Sequence, residues 1–458
     1  MPADAEFHIG HFGDVRREAV GARLFERVME TGCLVLRRLG EDRNGEGAIG
    51  NFLGSPHVTP EEIVHTAGKR TAQACRGRRI VAAQDTTEIN FSGRHARRRG
   101  LGAAGDGETP GFFAHAMIAI DADDEAVLGL VHAQIWTRTT PASVARRARA
   151  IEDKESIRWI KATAAAGDLL AAAAQLIVVG DREFDIYSQF VRVPPGVDLI
   201  VRAAQNRKLA DEDGSLFSAP SDWREFGTLE IRVPPSPGKT QRIARVTVKA
   251  GRVCIAKPRN GGAASDPDSV SLTYVEVAEV DPPKGEDPIV WRLLTTLAVL
   301  GEPDEFAAAR EIVRLYRLRW RIEQLFRAMK SDGLRLEETQ VQDATRLFNL
   351  TAVALTAAVR TSQLVDARDG SPRPASDVAD PQVIAAAQAI GPTLEGNTQR
   401  QKNPHTQGSL SWLSWIVARL GGWNCYYKPP GPKTMRAGWD VLAAMANGYA
   451  IAMAQQKV

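Results

Sequence analysis

Apolar residues recur at helical spacing near the start of the chain, which predicts an N-terminal group of helices. Asp14 is the expected N-cap of the first helix. The apolar positions that would place one face of this helix against a core are Val15, Leu24, Phe25 and Val28. A second helix start is predicted at Thr59, because Pro60 follows it and Glu62 comes three residues after it. Residues 1–70 are therefore expected to form a helical domain.

Short apolar runs from about residue 79 onward predict an α/β core. The first run, residues 79–84, ends in Asp85. Two more strands, a helix and a further strand are expected at 114–120, 126–136, about 151–174 and 176–179. The last of these runs is continuously apolar, as in a strand buried on both faces, and Gly180 and Asp181 follow it. Two strands of this core thus end in carboxylates.

The second half of the chain is predicted to contain a β-rich insertion, a long helix and a helical end. Strand-like segments separated by Gly- and Pro-rich turns fill residues 200–300, and the long helix covers about 303–330. A stretch rich in proline, aspartate and serine at 366–382 indicates a boundary or a flexible linker. The domains predicted on this basis are a helical domain (1–70), an α/β domain with the β-rich insertion (71–365), and a linker with a helical domain (366–458).

The predicted long helix carries a stripe of four polar side chains. At 3.6 residues per turn, Tyr316, Arg319, Glu323 and Lys330 fall within about 60° of one another. The apolar residues of this helix fall on an adjacent face that could pack against a core. A solvated salt-bridge ladder would explain Arg319 and Glu323 equally well, since ion pairs at this spacing are common on helix surfaces.

Charge is concentrated in two segments, although the chain as a whole is only mildly basic, with a net charge of +3 and a pI of about 8.6. Between Glu311 and Lys330 there are six basic and two acidic residues, and between Lys69 and Arg99 there are nine and two. Each segment includes an acidic residue at a structurally defined position, Glu323 or Asp85. A carboxylate among cations suits a place where a metal ion and a phosphate backbone meet.

Composition narrows the class of protein further. The chain is 44% hydrophobic and 25% charged, which is typical of globular proteins and excludes wholesale disorder or a fibrous repeat. Its four cysteines, Cys33, Cys75, Cys254 and Cys425, lie far apart, which favours free thiols in a reducing compartment. The first residues do not have the pattern of a secretory signal, and the most apolar stretch falls short of the ~20 residues that a membrane helix needs. A soluble, intracellular, multidomain protein is expected.

Several motifs together resemble a known family. Tyr316-x2-Arg319-x3-Glu323-x6-Lys330 is similar to the Y-R-E-K signature of DDE transposases of the insertion-sequence-four family, and in particular of the transposon-five transposase group. Asp85 followed by two threonines resembles that group's first catalytic aspartate, and Asp181 in the sequence DREFD resembles the second. Further matches, which extend the resemblance over nearly the whole chain, lie at Gly13–Arg17, Lys154–Trp159, Pro282–Trp291 and Gly408–Gly422.

The resemblance implies a fold and a chemistry. The fold is an α/β, RNase H-like catalytic core interrupted by a β-rich insertion, with an N-terminal helical DNA-binding domain and a C-terminal helical dimerisation domain. Asp85, Asp181 and Glu323 would be the catalytic residues and would hold two Mg²⁺ ions, for which Mn²⁺ can substitute. The activity implied is cut-and-paste DNA transposition, through cleavage at inverted repeats, a hairpin intermediate and joining of 3′ ends to target DNA.

The resemblance also implies DNA contacts and partners. The protein would bind double-stranded DNA, both transposon ends and target, and would be a homodimer in the DNA complex. It would be a cytoplasmic, nucleoid-associated bacterial protein with no membrane partner. The candidate DNA-binding residues are Tyr316, Arg319, Lys330, Trp291, Arg16, Arg17, Arg76, Arg78, Arg79, Arg202 and Lys284. Trp291 matches a position that stacks a flipped-out base, but an ordinary core tryptophan before a strand is an equal alternative. The segment Gly47–Phe52 departs from the family pattern, because it has lost a tyrosine and an arginine.

Two other functions are compatible with the same residues. One is an RNase H-like nuclease that cuts DNA without joining it, which the resemblance of the C-terminal segment disfavours. The other is a catalytically silent DNA-binding protein, such as an inhibitor of transposition. All three carboxylates and Lys330 are present, and nothing in the sequence indicates silencing.

Overall fold

The described residues of the protein divide into two units. The computed structural model describes residues 8–91, 98–105, 107–138, 154–211, 213–233, 242–259, 263, 265–330, 333–371, 373–379, 381–426 and 428–455. The first unit is built from residues up to 75, residues 86–141 and residues from 321 onward. The second is built from residues 76–85 and 142–320. The chain therefore passes between the units four times, at residues 75–76, within its first strand at 85–86, at 141–142 and at 320–321.

The first unit is mainly helical. Its helices are α1 (Val15–Thr31), α2 (Leu36–Gly40), α3 (Arg43–Leu53), α4 (Pro60–Cys75), α8 (Trp320–Met329, of which residue 320 is assigned to the second unit), α9 (Ala344–Ala367), α10 (Pro381–Ile390), α11 (Leu410–Leu420) and α12 (Pro432–Gln455). Its strands are the second half of β1 (Arg79–Asn90), β2 (Gly102–Ala103), β3 (Pro110–Asp121) and β4 (Val127–Trp136). Strand β3 pairs in antiparallel fashion with β2 and β4.

Helix α9 is the centre of this first unit. Most of its side chains are buried, and it contacts α1, α3, α4, α11, α12 and β4. Buried Asn349 on α9 donates its side-chain amide to the carbonyls of Leu53 and Val58, at 2.8 and 2.9 Å. These bonds satisfy backbone acceptors that follow α3, where a buried carbonyl without a donor would be costly.

The second unit is built on a sheet whose strand order is β1-β5-β6-β10-β9-β8-β7. The strands that follow β1 are β5 (Gln175–Gly180), β6 (Val197–Arg202), β7 (Glu225–Val233), β8 (Arg242–Ala256), β9 (Ser269–Glu279) and β10 (Val290–Thr295). Pairing is parallel from β1 to β6 and antiparallel from β6 onward. The helices of this unit are α5 (Ile157–Leu169), α6 (Tyr187–Val191) and α7 (Glu305–Arg317).

The β-rich insertion continues this same sheet. Strand β10 pairs with β6 on one side and with β9 on the other, so that the strands of residues 200–300 extend the α/β sheet directly. The mixed α/β architecture, with a large mixed sheet and helices, is compatible with an RNase H-like core. Among the described helices, none combines the length and the apolar character that a membrane span requires.

Several predicted elements are confirmed and others are corrected. Asp14 and Thr59 cap α1 and α4 as predicted, each accepting a backbone N–H of the first turn. Val15 was expected on the apolar face of α1, but this is wrong, because the residue is 81% exposed. The first strand was expected to end at Asp85 and instead continues to Asn90. The helix predicted at about 151–174 is shorter, Ile157–Leu169, and the start of the predicted range lies outside the described residues.

The single helix predicted at 303–330 is also wrong, because two helices occupy this range. Helix α7 ends at Arg317 and α8 begins at Trp320. In the turn between them, the backbone N–H groups of Leu318 and Arg319 donate to carbonyls three residues earlier, as in a 3₁₀ turn. The stripe calculated for one straight helix therefore does not describe these side chains.

The stretch at 366–382 is packed rather than extended into solvent. Arg373 is buried, and its guanidinium donates to the carbonyl of Val127 at 2.9 Å and to Asp377 at 2.7 Å. Ala375 is buried as well, and its backbone N–H donates to the carbonyl of Gly408 at 2.8 Å. The described residues of this stretch thus form part of the first unit.

Candidate active site

Three charged side chains of the second unit lie where the parallel pairing of β1, β5 and β6 ends. The register pairs Ala83 of β1 with Val179 of β5, and Gly180 of β5 with Val201 of β6. Continued by one or two residues, the same register places Asp85 beside Asp181 and Asp181 beside Arg202. Adjacent strands lie about 4.8 Å apart. The carboxyl ends of parallel strands are where α/β sheets place their ligands, which makes this row the candidate site.

Asp181 and Asp185 have different roles although both belong to the DREFD motif. Asp181 is half-buried and accepts one hydrogen bond from the backbone N–H of Glu183, at 2.8 Å. The Asp185 side chain is fully buried and accepts from the guanidinium of Arg207 at 2.6 and 3.1 Å. It also accepts from the backbone N–H groups of Ala204 and Gln205, both at 2.9 Å. Asp185 therefore fastens the turn after β6, whereas Asp181 retains capacity for a ligand.

Arg319 lies against the first of the candidate carboxylates. Its guanidinium is 3.3 Å from a carboxylate oxygen of Asp85, and both side chains are largely buried. An ion pair with little solvent around it is held more strongly than a surface pair. The residue that was expected to contact a phosphate is thus directly beside a residue that was expected to bind metal.

Tyr316 and Trp291 are the two aromatic residues among the site residues predicted in the second unit. Their rings are in edge contact, with centroids 5.7 Å apart, and Trp291 is only half-buried. Burial raises the pKa of the Tyr316 phenol, and Asp181 acts in the same direction, whereas Arg319 and Arg202 oppose the rise. The phenol is therefore protonated at neutral pH and can donate a hydrogen bond.

Glu323 and Lys330 belong to the first unit. Glu323 is half-buried in the first turn of α8, beside the buried face that includes Ile322 and Phe326. Lys330 directly follows α8; its ammonium donates to the carbonyl of Glu88 and lies 3.2 Å from the carboxylate of Glu337.

The remaining predicted DNA contacts lie at other places on the chain. Arg16 is exposed on α1, and Arg17 donates to the carbonyl of Phe12. Lys284 is exposed in the β9–β10 turn. Arg76 and Arg78 are exposed just before β1, and Arg79 pairs with Glu311 at 3.2 Å. Six residues separate Arg79 from Asp85 along β1, which is about 20 Å in a strand, so these three arginines lie at the far end of that strand.

Two histidines, His115 and His132, lie on the neighbouring strands β3 and β4. His115 is completely buried, and its Nδ1 lies 2.9 Å from the hydroxyl of Thr86. His132 is half-buried, and burial lowers its pKa, which favours the neutral imidazole. His115 is therefore a packed residue of the first unit. The partner of Asp185, Arg207, was missed, because nothing in the sequence marks an arginine in a loop as the partner of a particular aspartate.

The donor chemistry of the site suits a hard cation. Asp85 and Asp181 offer carboxylate oxygens on register-adjacent strands, which is the ligand type that Mg²⁺ prefers. Asp185 is excluded as a ligand, since its oxygens are occupied by Arg207 and two backbone N–H groups. Within the part of the chain that the structure describes, no three side chains of histidine, cysteine, aspartate or glutamate form a group that could hold a metal ion by themselves.

One comparison with known proteins bears on this site. Residues 76–359 match the model of a protein family described as a transposase DDE domain. The match covers well over half of the 458 residues and includes Asp85, Asp181, Trp291, Tyr316, Arg319, Glu323 and Lys330.

The two aspartates of the DREFD motif are predicted to differ in their effect on stability. Asp185→Asn should lower the free energy of unfolding by about 3–5 kcal/mol, because it leaves the buried guanidinium of Arg207 without its counter-charge. Asp181→Asn should change it by no more than about 1 kcal/mol, because the amide oxygen still accepts from Glu183. Denaturant unfolding of both variants measures this, and equal losses would contradict the assignment.

Proposed function

Because the chain belongs to the family of transposases with a DDE domain, we propose that it is a cut-and-paste transposase that cleaves DNA at transposon inverted repeats and joins the 3′ ends to target DNA. The coarser statement, an enzyme with a transposase role, follows from the family itself. The observation that carries the finer proposal is the row of Asp85, Asp181 and Arg202 where the parallel pairing of β1, β5 and β6 ends. It combines carboxylates with a guanidinium in one place, as phosphoryl transfer requires.

Each residue of the proposed site has a role in this chemistry. Asp85, Asp181 and Glu323 would hold the divalent metal, with Mg²⁺ expected and Mn²⁺ as a substitute. Two bound Mg²⁺ ions supply the charge that makes a water or a 3′-hydroxyl nucleophilic and that stabilises the leaving oxygen. Asp185 is occupied by Arg207, whereas Asp181 accepts only the N–H of Glu183, so that one carboxylate of the motif can still bind a metal ion.

The basic and aromatic residues would orient the DNA strand. Arg202 and Arg319 can each make paired hydrogen bonds to a phosphate, and the protonated phenol of Tyr316 can donate a further one. Lys330, which belongs to the first unit, would act on phosphate as a point charge. Trp291 is half-buried and in edge contact with Tyr316, so that part of its ring surface can receive a base. This supports stacking in a hairpin intermediate over the alternative of a core tryptophan.

The N-terminal helices would bind the transposon ends. Arg16, Arg76 and Arg78 are exposed and can reach a DNA backbone. Arg17 donates to the carbonyl of Phe12, and Arg79 pairs with Glu311. Gly47–Phe52 lies within α3, and two positions of this segment are glycine, so α3 itself offers few side chains for base recognition. We therefore expect end binding to depend chiefly on phosphate contacts from neighbouring elements.

A homodimer is proposed through the C-terminal helix. Val441, Met445 and Tyr449 are spaced four residues apart on α12 and are 38%, 40% and 37% exposed. Apolar residues at this spacing form one stripe along a helix, and an exposed apolar stripe favours association with another protein surface. A second copy of α12 would cover it, with each chain bound to one DNA end and cutting the other.

Two rival functions, a nuclease that does not join strands and a silent DNA-binding protein, do not account for every feature of the proposed site. A nuclease that never joins strands has no need of a paired complex of two ends. A silent DNA-binding protein would gain nothing from Asp181 kept half-buried with one hydrogen bond while Asp185 is saturated. Mg²⁺-dependent assays of cleavage and of strand transfer, on the inverted repeats that flank the gene, distinguish all three.

Glu323→Gln is predicted to abolish cleavage and strand transfer while leaving end binding intact. The loss should exceed the roughly 100-fold that outer-shell partners of a metal contribute. Gln324→Ala, a change at the neighbouring exposed position of α8, is the matched control and should cut at the wild-type rate. Glu323→Gln protein that still cut transposon ends appreciably would show the assignment to be wrong.

Trp291→Ala is predicted to nick DNA normally but to form few hairpins. Loss of base stacking is worth ~1–3 kcal/mol, which reduces the ratio of hairpin to nick by about 5- to 150-fold. Trp291→Phe should recover part of this ratio. Thermal melting of each variant is the control. If Trp291→Ala lost stability and both nicking and hairpin formation together, Trp291 would be an ordinary core tryptophan.

Substitution of the α12 stripe is predicted to weaken the dimer. Met445→Glu combined with Tyr449→Glu places two charges on the proposed contact and should weaken self-association on end DNA by at least about tenfold. Lys433→Glu, also exposed on α12, should leave it unchanged. Sedimentation with and without DNA measures the stoichiometry, and a wild-type complex with one protein chain per pair of ends would exclude the dimer.

A further inference from the structure

The helix that carries Glu323 is short and begins at a break. Helix α8 has 10 residues, and the turn at Leu318 and Arg319 interrupts the α-helical hydrogen bonding that would otherwise continue from α7. One face of α8 packs against the rest of the protein through its buried residues, Ile322, Leu325, Phe326 and Met329. Apolar contacts of this kind are non-directional, so they allow small slides along the helix axis.

Arg321, two residues before Glu323, provides a directional contact at the start of α8. It donates a hydrogen bond to the carboxylate of Asp366, near the end of α9. The Asp366 side chain is only 3% exposed, and its other oxygen accepts from the backbone N–H of Val127 at 3.3 Å. A single buried carboxylate thus joins α8, α9 and the start of β4, all within the first unit.

Lys330 makes the corresponding contact at the other end of α8. Its ammonium binds the carbonyl of Glu88 and the carboxylate of Glu337. With Arg321 at the start and Lys330 just past the last turn, α8 is held at both ends, and Glu323 lies between the two contacts.

The contact with Arg321 offsets only part of the cost of burying the Asp366 carboxylate. Burial raises the pKa of Asp366 to about 6, although Arg321, Arg368, Arg373 and the Val127 N–H all oppose the rise. A carboxyl whose folded pKa is raised stabilises the fold at low pH, and this stabilisation is lost as the pH rises toward about 6. At neutral pH the buried charge therefore costs stability, as isolated buried ion pairs often do.

We propose that Asp366, acting through Arg321, is a positioning residue for Glu323. This rests on the proposed function for what Glu323 does, but the placement of α8 by Asp366 can be measured without DNA cleavage. Outer-shell residues that orient a metal ligand commonly contribute about 10- to 100-fold to activity.

The test compares Asp366→Asn with a matched control, Asp440→Asn. Asp440 is also an aspartate whose pKa burial raises, to about 7, and its arginine partner is Arg436 on the same helix, α12. Hydrogen exchange of the α8 amides should be about tenfold faster in Asp366→Asn than in the wild type and unchanged in Asp440→Asn. Mg²⁺-dependent cleavage should fall by about 10- to 100-fold in Asp366→Asn alone, with unchanged end binding and no loss of thermal stability.

The pH dependence gives a second readout. In the folded chain Asp366 is charged above pH about 6 and neutral below it, so the full ion pair with Arg321 exists only above this value. The difference in α8 exchange between wild type and Asp366→Asn should be largest near pH 7.5. It should shrink toward zero as the pH falls through about 6.

A double-mutant cycle completes the test, and its Arg321→Gln variant remains informative by itself if Asp366→Asn does not fold. Arg321→Gln alters a side chain that is 26% exposed, so it should fold, and it should lose as much activity as Asp366→Asn, with the double variant losing no more. Additive losses, or unchanged α8 exchange and cleavage in Asp366→Asn, would overturn the proposal. A wild-type protein that never cuts, but whose α8 exchange responds to Asp366, would instead count against the proposed function.

Discussion

The parallel register of β1, β5 and β6 is the constraint on which the candidate site depends. The pairing of β1 with β5 has an offset of 96 residues, and the pairing of β5 with β6 has an offset of 21. These are also the sequence separations of Asp85 from Asp181 and of Asp181 from Arg202. A slip of one residue would turn the side chain on one strand to the opposite face of the sheet. The apolar cores of the three strands, which are buried, hold the register and hence the charges.

The charged side chains of the second unit differ in how many hydrogen bonds they already make within the protein. Those with all their hydrogen bonds satisfied are structural, and the others are available for chemistry. Asp185 and Arg207 satisfy each other in a buried setting, with two backbone N–H groups completing the arrangement. Asp85 and Arg319 are also paired, but Asp85 stands at the ligand end of the sheet with its side chain 15% exposed. A DNA phosphate that approached Arg319 would therefore compete with Asp85 for the guanidinium, while a cation at Asp85 would release Arg319 toward the phosphate. If both ligands bind as proposed, each would therefore favour the binding of the other.

Local pattern predicted the elements of the core well, because strands buried on both faces appear as continuous apolar runs. Leu176–Val179 and the strands of residues 200–300 were found where expected. The pattern could not show that the insertion joins the same sheet, because strand partners depend on contacts distant in sequence. Nor could it show that Asp185 is saturated, because its partner Arg207 carries no local signal. The roles of the DNA-contacting residues came from family resemblance, and they stay predictions.

The break between α7 and α8 shows why a correct motif can have the wrong geometry. The spacing of Tyr316, Arg319, Glu323 and Lys330 fits a straight helix, and neither proline nor glycine interrupts it. A helix of this length is nevertheless stabilised mostly by tertiary packing, so that contacts made by individual residues can interrupt it. Arg319 is buried against Asp85 and Arg321 binds Asp366, and these two contacts flank the start of α8. An ion pair thus lies on each side of the point where α8 begins, and helical periodicity cannot reveal either of them.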